Sequence, residues 1–297
     1  RRAIELKPNY SEAYSNLAII LDDLGKSQEA EVFLRKAIEL NPNYAEAYSN
    51  LGNILSNLGK SQEAEVLLRK AIELKPDFSE AYSNLGIILG DLGKTQEAEV
   101  CHRKAIELNS NYAEAYSNLG LILSDIGNVK EAESCHRKAI ELQPIFAEPH
   151  NNLSSILLRK MELIEGWKEY EWRWEGKQKG SFIGKKLATS KPEWSPNHRG
   201  RVLLWPEQGI GDKILFASLI PELEKNVDQL IIQIDQRLIP LFKRSFDQKI
   251  IYVDENDVIN EDNYDFQIAM GSVPKLLRNT RESFEKHNQP YLKVDEK

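Results

Sequence analysis

Apolar positions in the first half of the chain follow two alternating helical patterns. In the first, Tyr14, Leu17, Ala18 and Leu21 fall at i, i+3, i+4 and i+7, which is one face of an amphipathic helix. In the second, AIEL recurs at 3, 37, 71, 105 and 139, a fixed period of 34. Asn16, Asn50, Asn84, Asn118 and Asn152 keep that period, as do Gly25, Gly59, Gly93 and Gly127. The glycines follow the first helix, where a left-handed cap is easy only for Gly. Pro8, Pro42, Pro76 and Pro144 stop the second helix, with Ser110 in the remaining copy. Small residues at Ala18, Gly52, Gly86 and Gly120 let a neighbouring helix approach closely. The pattern predicts helix–turn–helix units stacked into an α-solenoid. Four full units are expected at 11–44, 45–78, 79–112 and 113–146, with a degenerate fifth from 147 and a partial one at 1–8, so that the array spans 1–176.

Beyond the array the texture changes. Residues 177–200 are rich in Lys, Gly, Ser and Pro and predict a linker or an irregular docking segment. RVLLW (201–205), QLIIQID (229–235), KIIYV (249–253) and YDFQIAM (264–270) read as buried strands. Helices are expected over 211–225 and 236–246, and a short one from Ser272. Strands alternating with helices predict a parallel sheet covered on both faces. The expected fold class is an α-solenoid followed by an α/β, Rossmann-like half-domain at 201–297, α-dominated overall.

Composition narrows the function classes. With 41% hydrophobic and 29% charged residues in 297, the chain is a globular protein rather than a disordered one. No apolar run approaches the ~20 residues of a membrane span, and no signal peptide opens the chain. Cys101 and Cys135 cannot build a disulfide framework, so a reducing cytoplasm is expected. The net charge of -7 is uneven: residues 1–176 hold 28 acidic and 20 basic side chains, and 177–297 hold 18 and 19. An acidic first half repels phosphate backbones, which argues against nucleic acid as a partner. The opening RRAIELKP has no initiator Met and reads as the tail of a helix, as in a piece of a longer chain. An open repeat face there makes self-association a further expectation.

Tyr48, Leu51, Gly52, Gly59, Ala64, Ala71 and Pro76 follow the order aromatic, Leu, small, Gly, Ala, Ala, Pro. On these residues the first half resembles a tetratricopeptide repeat array. The resemblance implies that one stripe of each first helix lines a concave groove. That stripe reads Glu12, Asn16, Ile19, Asp23, then Glu46, Asn50, Asn53, Asn57, then Glu80, Asn84, Ile87, Asp91, then Glu114, Asn118, Leu121, Asp125. An Asn amide both donates to and accepts from a peptide backbone, so the ladder, with Asn152 as its fifth member, suits an extended protein segment. At about 0.5–1.5 kcal/mol per bond, such a ladder gives weak to moderate affinity. It is similar to the array that feeds acceptor proteins to O-GlcNAc transferase. The competing reading is that each Asn satisfies a neighbouring repeat. Acids in place of Lys and Arg set aside a clamp for chaperone tails and favour a basic or neutral partner.

Two further features invite chemistry. Cys101–His102 and Cys135–His136 make a zinc set by composition. Repeats roughly 8–10 Å apart keep the four from converging, however, and the histidines fill the slot of Leu34 and Leu68, so packing and no metal are expected. In the fifth unit Trp167, Tyr170 and Trp174 form an aromatic stripe that reads as an end cap and seat for the next domain, or as a sugar-stacking platform.

The loop PEQGIGDKILF carries the remaining chemistry. Gly209 and Gly211 follow a strand and precede a helix, where backbone N–H groups can face an anion. A dinucleotide fingerprint would want Gly where Ile214 stands, although Asp235 sits where a ribose-binding acid would. Strand–GxGD–helix instead resembles the first domain of heptosyltransferase-type glycosyltransferases of the GT-B architecture. The order of repeats, Trp-rich cap, Trp–Ser–Pro segment and this loop is similar to bacterial repeat-fused enzymes of that group. The resemblance implies Asp212 as general base on an acceptor hydroxyl, with Glu207, Gln208, Gly209 and Gly211 as the acceptor and anion loop. Lys213 is placed to pair with Asp212 and lower its basicity. The co-substrate would be a nucleotide sugar, with no other cofactor. Its donor domain would follow Lys297, so these residues alone are expected to bind without transferring sugar. The alternative is a non-catalytic interaction module with a degenerate α/β domain.

Overall fold

The computed structural model describes residues 2–175, 186–207, 209–285 and 290–293. It forms two compact units, Arg1–Pro149 and His150–Lys297. In the first, a short α1 (Arg2–Leu6) precedes four helix pairs. These are α2 (Ser11–Asp23) with α3 (Ser27–Leu40), α4 (Ala45–Asn57) with α5 (Ser61–Leu74), α6 (Ser79–Asp91) with α7 (Thr95–Leu108), and α8 (Ala113–Asp125) with α9 (Val129–Leu142). Successive first helices α2, α4, α6 and α8 touch one another, and the second helices do not pack this closely, so the first helices line the inner side of the curve.

The 34-residue period is built from two local devices. Each first helix ends in a left-handed glycine, with φ 75, 76, 73 and 84° at Gly25, Gly59, Gly93 and Gly127. In the first turn Gly25 N–H donates to Asp22 C=O at 2.8 Å and Lys26 N–H to Leu21 C=O at 2.8 Å, which closes the helix and reverses the chain. The second device is a close approach inside each pair. A Cβ on Gly52 would lie 2.8 Å from Leu68 Cγ, and one on Gly86 would lie 2.7 Å from His102 Cε1. At Gly120 it would meet His136 Cε1 at 2.6 Å. Leu34, Leu68, His102 and His136 are all buried in this one slot.

Outside the core, an ion-pair ladder joins consecutive second helices. Arg35 reaches Glu31 at 2.8 Å and Glu63 of the next repeat at 2.6 Å, and Lys60 returns to Glu31 at 2.8 Å. Arg69 repeats the pattern with Glu65 and Glu97, and Arg103 with Glu99 and Glu131. Each exposed pair contributes ~0.2–1 kcal/mol at most.

The second unit takes in most of α10 (Ala147–Arg159), then α11 (Leu163–Tyr170) and a 3₁₀ turn at Glu171–Trp174. The turn between α10 and α11 keeps the geometry of the earlier ones but places Met161 at φ 62°, where they have Gly. Its sheet contains β1 (Arg201–Trp205), β2 (Gln229–Ile234), β3 (Ile251–Asp254) and β4 (Phe266–Ala269), all parallel in the order β3-β2-β1-β4. Leu203 pairs with Ile231 on one side and Gln267 on the other.

The four expected strands all form, and the helices between them are shorter and more broken than the pattern predicted. The segment after β1 divides into α12 (Ile210–Ala217) and α13 (Ile220–Glu224), because Pro221 opens a new first turn. Helix α14 (Ile239–Ser245) starts late: Asp235 first accepts a turn bond from Arg237 N–H at 2.9 Å, and Pro240 then enters the first turn. After β4 comes α15 (Val273–Leu277).

The sheet is covered on both faces, as expected, but among the described residues helices supply only one of the two covers. Ala217, Ile220, Leu223, Phe242 and Val273 from α12 to α15 pack with Val202, Leu204, Ile232 and Ile268 on one face. Among the described residues the other face, with Leu203, Trp205 and Ile231, is covered by Trp174, Leu187, Ile259 and Tyr264 from irregular segments. The connection from β3 to β4 contains only a 3₁₀ turn at Glu261–Asn263, since its sequence ENDVINEDNYD has no apolar helical period. The described part of the linker region, 186–200, is docked as well. Trp194 N–H donates to Gln267 C=O at 2.8 Å, Gln267 N–H donates to Pro192 C=O at 3.0 Å, and the Trp194 side chain is buried in the helical-face core.

His102 and His136 are buried. His102 Nδ1 and both ring nitrogens of His136 have no hydrogen-bond partner among the described residues. Burial lowers both imidazoles to about 4, and it raises the adjacent thiols of Cys101 and Cys135 to about 11, so all four groups are neutral at pH 7. The unfolded chain binds two protons that the folded one refuses between pH 6.5 and 4. Stability is therefore complete above pH 6.5 and is lost as pH falls toward 4, by roughly 2–3 kcal/mol per histidine. The double variant His102→Leu/His136→Leu, which copies Leu34 and Leu68, should remove that component from the acid limb. Melting temperatures across this range check it, and parallel pH profiles for the two proteins would refute it.

Candidate binding face and sheet-edge site

The ladder residues lie on the inner helices. Asn16, Asp23, Asn57, Asp91 and Asp125 are exposed, whereas Asn50, Asn53, Asn84 and Asn118 are half-buried. Asn152 is half-buried on α10, in the second unit. Asn50 Nδ2 donates to Ser15 Oγ of the preceding repeat at 3.5 Å, and Asn84 Nδ2 to Ser49 Oγ at 3.4 Å. These bonds are long, and each uses one of the amide's two N–H groups. The carbonyl oxygens of Asn50 and Asn84 have no partner among the described residues. The amides thus link neighbouring repeats and keep an acceptor facing outward. Between them Ile19, Ile87 and Leu121 stand 42, 44 and 48% exposed.

In the second unit, the strand order reverses at β1 and β4, so the crevice beyond their carboxyl ends is where ligands of open parallel sheets bind. Gly209 caps α12 in extended conformation, and a Cβ on Gly209 or Gly211 would meet nothing within 4 Å. The space in front of the loop is open. Gln208 lies outside the described residues. Asp212, in the first turn of α12, is half-buried and makes no side-chain hydrogen bond or ion pair among the described residues.

Lys213 does not pair with Asp212. Its buried ammonium is bound to Glu255, just past β3. With Trp205, Glu207, Gln233, Glu255 and Tyr264, Lys213 lines a cleft of about 630 Å³ at the ends of β1 to β3, and Asp212 stands outside that lining. Asp235 is held by Arg237 at 2.6 Å, and this bond keeps its carboxyl well below the usual range.

Glu207 faces inward, its side chain only 2% exposed. It accepts from Arg173 Nε at 2.7 Å and Nη2 at 3.1 Å, and from Gly271 N–H at 2.5 Å. A Cβ at Gly271 would collide with the carboxylate, which is why glycine stands there. Burial pushes the Glu207 carboxyl up, and Arg173 pulls it back. Arg173 also binds Glu171 at 2.7 Å and Ser272 Oγ at 2.8 Å, and its guanidinium lies 4.4 Å from both the Tyr170 and Trp174 rings. Trp167 Nε1 donates to Arg278 C=O at 2.9 Å, and Trp174 packs 5.4 Å from Trp205. The aromatic stripe therefore anchors the cap to the sheet within this unit. Sequence reasoning took Glu207 for an acceptor contact and did not single out Arg173, whose only local signal is its place among Tyr170, Trp172 and Trp174.

Removing one partner of a buried ion pair leaves an uncompensated charge. Arg173→Met should destabilise the second unit by about 3–5 kcal/mol, and adding Glu207→Gln should restore part of the loss. Urea unfolding followed by tryptophan fluorescence reads both, and a single variant as stable as wild type would remove the network from this role.

Family comparisons agree with the first unit. Residues 11–44, 33–66 and 77–145 each match a family model described as a tetratricopeptide repeat, and all three matches fall before Pro149. No curated protein matches the sequence. Among solved structures, PilF of Pseudomonas aeruginosa is similar, with 22% identity over 57% of this chain and 78% of that one and a TM-score of 0.53. PilW, a type IV pilus biogenesis factor, is 23% identical over 57% of this chain and 79% of its own, with a TM-score of 0.51. A thermophilic repeat protein of Thermus thermophilus is 22% identical over 56% of this chain and 90% of its own, with a TM-score of 0.50. These likenesses concern the fold alone. Repeat period, paired helices, left-handed glycine turns and family matches meet in one conclusion: the chain carries an array of tetratricopeptide repeats and, in them, a protein-interaction scaffold.

Proposed function

We propose that the scaffold holds an extended protein segment along the exposed face of α2, α4, α6 and α8, and that the α/β unit is the acceptor-side part of a sugar-transferring enzyme. The observation that carries the first half is the outward carbonyl of Asn50 and Asn84, repeated at 34-residue spacing beside exposed Ile19, Ile87 and Leu121. An amide acceptor beside an apolar side chain suits a peptide backbone and its alternate side chains. Peptides selected from a random 15-residue display library on the wild-type protein should bind an Asn50→Ala/Asn84→Ala/Asn118→Ala variant at least about tenfold more weakly. Equal affinity would place binding elsewhere.

Sugar transfer is favoured by the uncommitted Asp212 at the carboxyl edge of the sheet. Lys213, the neighbour that would have lowered its basicity, is engaged by Glu255. In this reading Asp212 takes the proton from an acceptor hydroxyl as the oxygen attacks the anomeric carbon of a nucleotide sugar, and the nucleoside diphosphate leaves. In a longer chain that also carries the donor domain, Asp212→Asn should lower transfer from a labelled nucleotide sugar by about 10²–10⁴-fold with little change in folding. Transfer within twofold of wild type would remove Asp212 from the chemistry.

A further inference from the structure

We infer that the segment held on the inner face is basic, with its cations spaced to match the repeats; this rests on the groove reading above. The four inner helices carry eight acidic residues and no Lys, Arg or His. Cations in this unit lie on the second helices and the turns, where Arg35, Arg69, Arg103, Lys60 and Lys94 are neutralised by the glutamates of the outer ladder. Charge is therefore sorted: the outer side is self-compensated, and of the eight inner acids Glu46 alone has a cation partner among the described residues, Lys75. Asp23, Asp91, Glu114 and Asp125 have no hydrogen bond or ion pair among the described residues. A second copy of the same face would be repelled, and a cationic partner would be drawn in.

The pattern is finer than a uniform charge. At the carboxyl end of the inner helices the order is Asp23, Asn57, Asp91, Asp125. The second repeat is the neutral one, since Glu46, the acid of α4, is already bound by Lys75 at 2.8 Å. Packed helices lie about 8–10 Å apart and an extended chain advances about 3.3 Å per residue, so one repeat spans about three residues. The matching segment has basic residues at relative positions 1, 7 and 10 and a neutral one at 4, or the mirror of that spacing if the chain runs the other way.

The test uses labelled 12-residue peptides of Lys, Ser and Ala on the whole protein, read by fluorescence anisotropy at low salt. Two carry Lys in the two spacings, one carries the same three Lys side by side, and one has Gln in their place. One spaced peptide should bind about tenfold tighter than the Gln peptide and about threefold tighter than the clustered one. Asp91→Asn/Asp125→Asn should reduce that preference to within about twofold. Both sites sit at helix carboxyl ends, where loss of an acid favours the helix, so the variant stays folded. A Gln peptide that binds as tightly as the spaced ones would overturn the basic assignment and leave the groove standing. A clustered peptide that binds as tightly would overturn the register, and no binding by any of the four would overturn both the inference and the groove.

Discussion

The seat of one second-helix side chain against a glycine or alanine of its own first helix sets the geometry of the array. Leu68 against Gly52, His102 against Gly86 and His136 against Gly120 occur at distances that no larger residue would allow. Because the slot recurs every 34 residues, each pair presents the next with the same surface. A solenoid of this kind is stabilised by nearest neighbours. The inner Asn and Asp residues inherit their spacing from it. Two of the four slots hold imidazole where the other two hold leucine, and the packing stays the same. The slot requires a shape of about that volume more than it requires an aliphatic residue.

The second unit is organised differently. There Arg173 joins the cap helix, the loop after β1 and the start of the segment after β4. Burying a guanidinium is costly unless every donor is used, and here two carboxylates, a hydroxyl, a backbone carbonyl and two aromatic faces share it. His150, where the compact unit begins, is bound to Glu169 and stacks 4.0 Å from Trp172, next to Arg173 in the chain.

Period and polarity made the repeats legible: helices, turns and slots follow from spacings of 3.6 and 34 residues. The strands were visible for a similar reason, as short apolar runs between turn residues. What stayed hidden depends on distant partners. Lys213 stands next to Asp212 in sequence and binds Glu255 instead, across 42 residues. Trp194 stands in a stretch of Lys, Ser and Pro that left linker and docking segment both open, and only its burial beside β4 decides for docking. Glu207 read as an acceptor contact because nothing nearby announces the guanidinium that draws it inward. The Asn ladder was read with two outcomes; Asn50 and Asn84 bond to the preceding repeat, and their side-chain carbonyls have no partner among the described residues.

Met161 has a kinetic meaning. The four earlier turns are written into the chain locally, since glycine adopts the left-handed conformation before any tertiary contact exists. At the fifth, an L side chain must be pushed there, and only surrounding packing supplies the force. The first four hairpins can thus nucleate by themselves and propagate along the array. The α10–α11 hairpin lacks that local help, so its turn leans on the packing of the second unit rather than on its own sequence.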